Sequence, residues 1–150
     1  MTGERCFIVY NAAMQSIFDR LSKIFSSGID FLLQESSRAA SESLATSFGK
    51  EPKIDLKPLL SAYTQRFAQV GLGRLEVCEL NWEKARAKVR VWNNIFAEMR
   101  HEESTYCSYM AGLVSGLYES FLHTAPLVKE TKCIGKGDPY CEFLLTTKVP

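Results

Sequence analysis

The side chains best suited to chemistry in this sequence are three cysteines and one carboxylate. Glu130 precedes Cys133 by a gap of two residues, and Cys141 follows across a turn rich in glycine and proline. Cys107 stands upstream, at the expected start of a helix. Soft sulfur donors joined by a carboxylate suit zinc better than magnesium or calcium. Antiparallel partners lie about 4.5–5.5 Å apart, so a hairpin folds Cys133 and Cys141 toward each other. A helix packed on the same small sheet then brings Cys107 to them. Four protein ligands leave no open coordination position, which predicts a structural site and not a hydrolytic one. One condition attaches to this reading. Glu130 and Cys133 are an odd number of positions apart, so a regular strand points them to opposite faces, and a bulge or the start of the turn must reorient one of them. Two plainer readings stand beside it: the thiols are small buried hydrophobes, or Cys133 and Cys141 form a cross-strand disulfide.

The elements that must position these groups follow from hydrophobic spacing. Residues Cys6 to Tyr10 read as a short strand or entry segment, and Met14, Ile17, Phe18, Leu21 and Phe25 recur with helical period. After Gly28, the residues Ile29, Leu32, Leu33, Ala40 and Leu44 predict a second helix that crosses a serine-rich stretch and ends near Gly49. Asp55 is a credible cap for a third helix, whose stripe of Leu59, Tyr63, Phe67 and Val70 stops at Gly71-Leu-Gly73. The period then changes to two. Ala85, Ala87, Val89 and Val91 alternate with Arg86, Lys88, Arg90 and Trp92, predicting an antiparallel hairpin over about 74–92 with its turn at Asn81 to Lys84. A helix over about 105–123 follows, with Gly112 and Gly116 one turn apart as a packing notch. A last hairpin over about 127–147 carries the candidate ligands. The order predicts an α+β fold in one domain spanning 1–150: a helical part at about 12–72, then two hairpins flanking a long helix, with helices on one face of a small antiparallel sheet.

Composition narrows the partners. The chain has 150 residues, with 18 Lys and Arg against 17 Asp and Glu, so it offers no strongly basic surface for nucleic acid. No apolar run approaches the roughly 20 residues of a membrane span. Five cysteines, an odd number, favour thiol or metal chemistry in a reducing, cytoplasmic setting over a disulfide framework.

The segment Cys107-Ser-Tyr-Met-Ala-Gly-Leu-Val-Ser-Gly-Leu, followed by Glu130-Thr-Lys-Cys133-Ile-Gly-Lys-Gly-Asp-Pro-Tyr-Cys141, resembles the 4-vinyl reductase domain family. The resemblance extends over about Tyr106 to Leu145. It implies a helix with a leading Cys before a hairpin bearing Glu-x2-Cys-x7-Cys, and a zinc ion held by Cys107, Glu130, Cys133 and Cys141. It also implies kinship in fold with transport-particle tethering subunits and nitric-oxide-sensing domains, and a tendency to form dimers.

Other residues add less. His101 and His123 have no nucleophile at a catalytic spacing, which predicts surface or capping roles, and neither stands out as an axial heme ligand. Gly135-Lys-Gly137 lacks the spacing of a nucleotide loop. Cys6 and Cys78 read as packing residues or free thiols. Phe67, Trp92, Phe96, Tyr106, Met110 and Phe121 are the candidates to line an apolar cavity between helices and sheet. The function expected is a zinc-stabilised domain binding a small hydrophobic or aromatic ligand, as a homodimer acting through a separate effector protein. The alternatives are an accessory factor in tetrapyrrole vinyl reduction and a tethering scaffold.

Overall fold

The structure is a computed structural model that describes residues 8–47, 56–81, 83–101 and 104–147. Cys6, Gly49 and Asp55 lie outside these residues, and with them most of the expected entry segment and two of the expected helix ends. Helix α1 (Asn11–Phe25) is joined by a 3-10 turn at Ser26–Gly28 to α2 (Ile29–Ser47), and α3 (Leu56–Gln69) follows. Strands β1 (Arg74–Asn81) and β2 (Arg86–Trp92) form the first hairpin. Ala85 is not part of it. It adopts a left-handed φ of 43° in the turn, and strand pairing begins at Arg86.

Between β2 and the long helix lie elements the hydrophobic period does not announce. These are a four-residue helix α4 (Ile95–Glu98) and a two-residue ribbon of β3 (Arg100–His101) and β4 (Ser104–Thr105). Asn94 caps α4 by accepting from the Phe96 amide at 3.1 Å. Helix α5 (Cys107–Leu122) then runs to a left-handed cap at His123, whose amide donates to the Glu119 carbonyl at 2.8 Å. Strands β5 (Leu127–Lys132) and β6 (Cys141–Thr146) complete the second hairpin.

The four long strands make one antiparallel sheet in the order β1-β2-β6-β5, so the two hairpins are welded through their inner strands. Alternation decides which face takes the helices. Ala87, Val89, Val91, Phe143 and Leu145 are buried, and they form a core with Phe96, Met110, Val114 and Leu117. Arg90 and Trp92 remain half-buried on the opposite face, where Arg90 Nε donates to Glu142 Oε2 at 2.9 Å. This is the expected α+β arrangement.

Two details differ from the hydrophobic stripes. On α1, Phe18 faces the core, with Met14 and Leu21 packed beside it, whereas Ile17 and Phe25 are 50% and 45% exposed. On α2 the buried face runs Ile29, Leu33, Ser37, Ser41, so two serines occupy positions that a period of apolar residues overlooks. Their hydroxyls are satisfied locally: Ser37 donates to the Leu33 carbonyl at 2.7 Å, and Ser41 bonds the Tyr63 hydroxyl at 2.6 Å. Gly112 and Gly116 of α5 sit against these serines. A Cβ at Gly112 would collide with Ser37 Oγ and the Gln34 carbonyl, and one at Gly116 with the Arg38 carbonyl and, at 2.9 Å, Ser41 Cβ. The notch expected at these glycines therefore brings two backbones together. Arg38 clamps its edge, pairing with Glu35 at 2.8 Å and Glu119 at 2.5 Å.

Candidate metal centre

Cys107 is the first residue of α5, held there after the extended Ser104–Thr105 strand and Tyr106 turn the chain into the helix. Cys141 opens β6, opposite Val91 of β2. Glu130 pairs with Phe143, but the next pairing joins Lys132 to Glu142, so the register slips by one residue at Thr131. This bulge meets the condition set by the odd spacing, because it lets Glu130 and Cys133 face the same side. Cys133 then leads into the 3-10 turn Ile134–Lys136, which ends at Gly137 with φ of 98°. Asp138 pins this turn by accepting from the Cys133 amide at 2.9 Å. Gly135 is required by contact: a Cβ there would strike Thr105 Cγ2 and lie 3.1 Å from the Ala97 carbonyl.

One donor atom from each of Cys107, Glu130, Cys133 and Cys141 lies within 4.8 Å of the others. The Cys107 sulfur is 3.6 Å from that of Cys133 and 3.9 Å from that of Cys141. All three cysteines are buried and free, so the disulfide reading does not hold. The Glu130 Oε1 atom is buried with no hydrogen-bond partner. An orphaned carboxylate oxygen is costly in a protein interior unless something cationic meets it. A borderline-soft divalent ion fits this set, since three sulfurs and one oxygen make the tetrahedral shell that zinc takes.

The electrostatics among the thiols are uneven. A hydrogen bond from Cys107, with further bonds from the Ile134 amide and Asn94, holds Cys141 down to about 7 against the effect of burial. Donation to Cys141 pushes Cys107 up, and burial adds to it. Burial, then the charge of Glu130, pushes Cys133 up. The position of Cys107 at a helix N-terminus, which alone would favour its thiolate, is thus outweighed by its neighbours. A bound divalent cation overrides such differences by deprotonating a coordinating thiol outright.

The sequence did not single out Asn94. It is fully buried, and its Nδ2 donates to Cys141 Sγ at 3.3 Å and to Cys107 Sγ at 3.7 Å. The Ile134 amide donates to Cys141 Sγ at 3.4 Å, and the Thr105 hydroxyl lies 3.8 Å from Cys133 Sγ. The one signal for Asn94 was its place before Ile95-Phe-Ala-Glu98 as a helix cap.

The six aromatic and apolar candidates do not come together. Phe121 lines a small cavity of about 30 Å3 with Leu60, Val77, Val114 and Leu117, between α3, α5 and the sheet. Phe96 and Tyr106 belong to a separate cluster around Phe18, at 6.1 and 5.0 Å between ring centroids, and the Tyr106 hydroxyl donates to Asp19 at 2.8 Å. Met110 is fully buried, and Phe67 packs on Tyr63. Trp92 lies on the outer face, 4.7 Å from the Tyr140 ring with Arg74 over it. Cys78 is an exposed free thiol in β1.

All four donors of the cluster fall within residues 88–147, and that stretch matches the model of the 4-vinyl reductase domain family. Residues 88–147 are 4-vinyl-reductase-like. The matched segment begins in β2 and takes in α5 and the whole second hairpin. An uncharacterized Methanocaldococcus jannaschii protein is 50% identical over 94 residues, covering 61% of this chain and 53% of the relative. The chain thus spans about half the length of that curated relative. Among solved structures, the phenol-responsive sensory domain of the transcription activator PoxR, determined with phenol, superposes with a TM-score of 0.76 at 13% identity. That alignment covers 96% of this chain and 77% of the sensory domain. A vinyl-4-reductase family protein of M. jannaschii gives 0.61 at 19% identity, covering 99% and 87%. The same fold recurs in an H-NOX protein from S. oneidensis, at 0.63 and 11% identity, covering 98% and 83%. It recurs again in a trafficking protein particle complex subunit 3 from Naegleria fowleri, at 0.60 and 13%, covering 93% of each chain. The kinships implied by the sequence are therefore present. No helix among the described residues is long and apolar enough to cross a membrane.

Proposed function

We propose that the chain is a zinc-stabilised sensory domain for a small hydrophobic or aromatic ligand. The observation that carries this reading is the convergence of Cys107, Glu130, Cys133 and Cys141, with an orphaned Glu130 oxygen, inside the family-matched segment. Zinc supplies charge neutralisation and a fixed tetrahedral junction, and its four protein ligands leave it a structural role. The residues do the rest. Cys107 ties the start of α5 to the metal, the Thr131 bulge aims Glu130, and Asn94 orients two of the sulfurs.

The ligand sits farther along α5, in the apolar cavity lined by Val114, Leu117 and Phe121. At about 30 Å3 the cavity is far below the roughly 300 Å3 typical of small-molecule sites, so the ligand enters by displacing Leu60 and Phe121. The phenol-bound sensory domain supports this reading through its shared fold. The domain works as a homodimer, with a separate effector protein reading out occupancy. Native mass spectrometry of protein purified without added zinc tests the proposal. One zinc per chain is expected, with loss of the metal and a lower melting temperature in Cys133→Ser and Cys141→Ser. Preparations that are all equally metal-free and equally stable would refute it.

A further inference from the structure

A pocket of about 290 Å3 adjoins the candidate metal centre and shares no lining residue with the apolar cavity. Cys107 and Glu130 form one wall, while Ser108 and Ala111 of α5 form the next. Val128 and Phe143 supply hydrocarbon from the sheet. The Ser108 hydroxyl is buried and has no hydrogen-bond partner. The metal does not account for it, since Ser108 is not one of the four donors. Two orphaned polar atoms, Ser108 Oγ and Glu130 Oε1, thus belong to residues lining the same pocket, and only one of them is explained by an ion.

We propose that this pocket is a second small-molecule site, for a neutral amphipathic alcohol. Its hydroxyl pairs with Ser108, which can donate or accept, and its hydrocarbon lies on Ala111, Val128 and Phe143. Neutrality follows from the rim, where the exposed Asp30 and Lys136 offset each other and favour neither an anion nor a cation. Size follows from volume, because 290 Å3 is at the lower end for ligand sites and suits a single ring or a short chain. The inference goes beyond the sensory reading, which places its ligand at Val114 to Phe121.

Benzyl alcohol and toluene, which differ by one hydroxyl group, test it by amide chemical-shift mapping on the zinc-loaded full chain. Saturable shifts at Cys107 to Ala111 and at Glu130 are expected with benzyl alcohol and not with toluene. Ser108→Ala should weaken benzyl alcohol roughly five- to tenfold, the usual scale for one lost hydrogen bond. Ala111→Leu, which narrows the pocket, should weaken it further while leaving zinc content and spectral dispersion unchanged. Shifts absent from this wall, equal for toluene, or untouched by Ser108→Ala would overturn the proposal. A chain found without zinc that still shows the Ser108-dependent shifts would sink the metal reading and leave this one standing.

Discussion

Asn94 shows how much a single buried amide can do. Its oxygen caps α4 and its nitrogen reaches sulfurs on α5 and β6, so one side chain ties three elements to the cluster. Groups that hydrogen-bond metal ligands typically change affinity about 10- to 100-fold when removed. Asn94→Ala is therefore expected to weaken zinc binding by that factor, read by competition with a chromophoric chelator, while Asn93→Ala, on an exposed turn, changes it little. The four donors were legible because cysteine and glutamate declare their chemistry by type and spacing. Asn94 was not, because its partner Cys141 lies 47 residues away and an Asn-Asn pair reads locally as a turn.

Among the elements, the seam between α2 and α5 shows what periodicity can and cannot reveal. Glycines one turn apart announced a close approach, yet the partner surface stayed hidden because Ser37 and Ser41 count as polar while they are fully buried. Gly116→Ala drives a methyl group into the Arg38 carbonyl, which is backbone and yields only if the helices part. Overpacking of this kind costs about 1–3 kcal/mol, so urea denaturation should show a loss in that range or beyond. Ser36→Ala, at an exposed position on the same helix, serves as a control with little effect. The bulge at Thr131 was foreseeable as a requirement of the odd spacing, though its exact residue was not, since a bulge and a turn satisfy the same parity. The stretch from Asn94 to Thr105 was opaque because a four-residue helix and a two-residue ribbon are too short to set a period.

At the scale of the whole molecule, the two hairpins were visible but not their joining, since the pairing of β2 with β6 rests on contacts about fifty residues apart along the chain. The surface is uneven in a way that bears on assembly. Tyr10, Ile17, Ile24 and Phe31 recur every seven residues and are all half or more exposed. A seven-residue repeat of large apolar groups matches the seam by which helices pair, so this stripe is the proposed contact between two copies. Ile17→Lys with Ile24→Lys is expected to give a monomer in light scattering coupled to size exclusion, with zinc content intact. A wild-type chain that is itself monomeric at high concentration would rule the contact out. Helix α5 carries the wider consequence. It is 16 residues long, or about 24 Å, with Cys107 at one end, Phe121 near the other, and Gly112 and Gly116 braced between them on α2. Such a rod behaves as a lever on a fulcrum: a push at Phe121 swings Cys107 without any atom passing between the two. Ion exchange at the thiols should then change its rate whenever the far end is loaded.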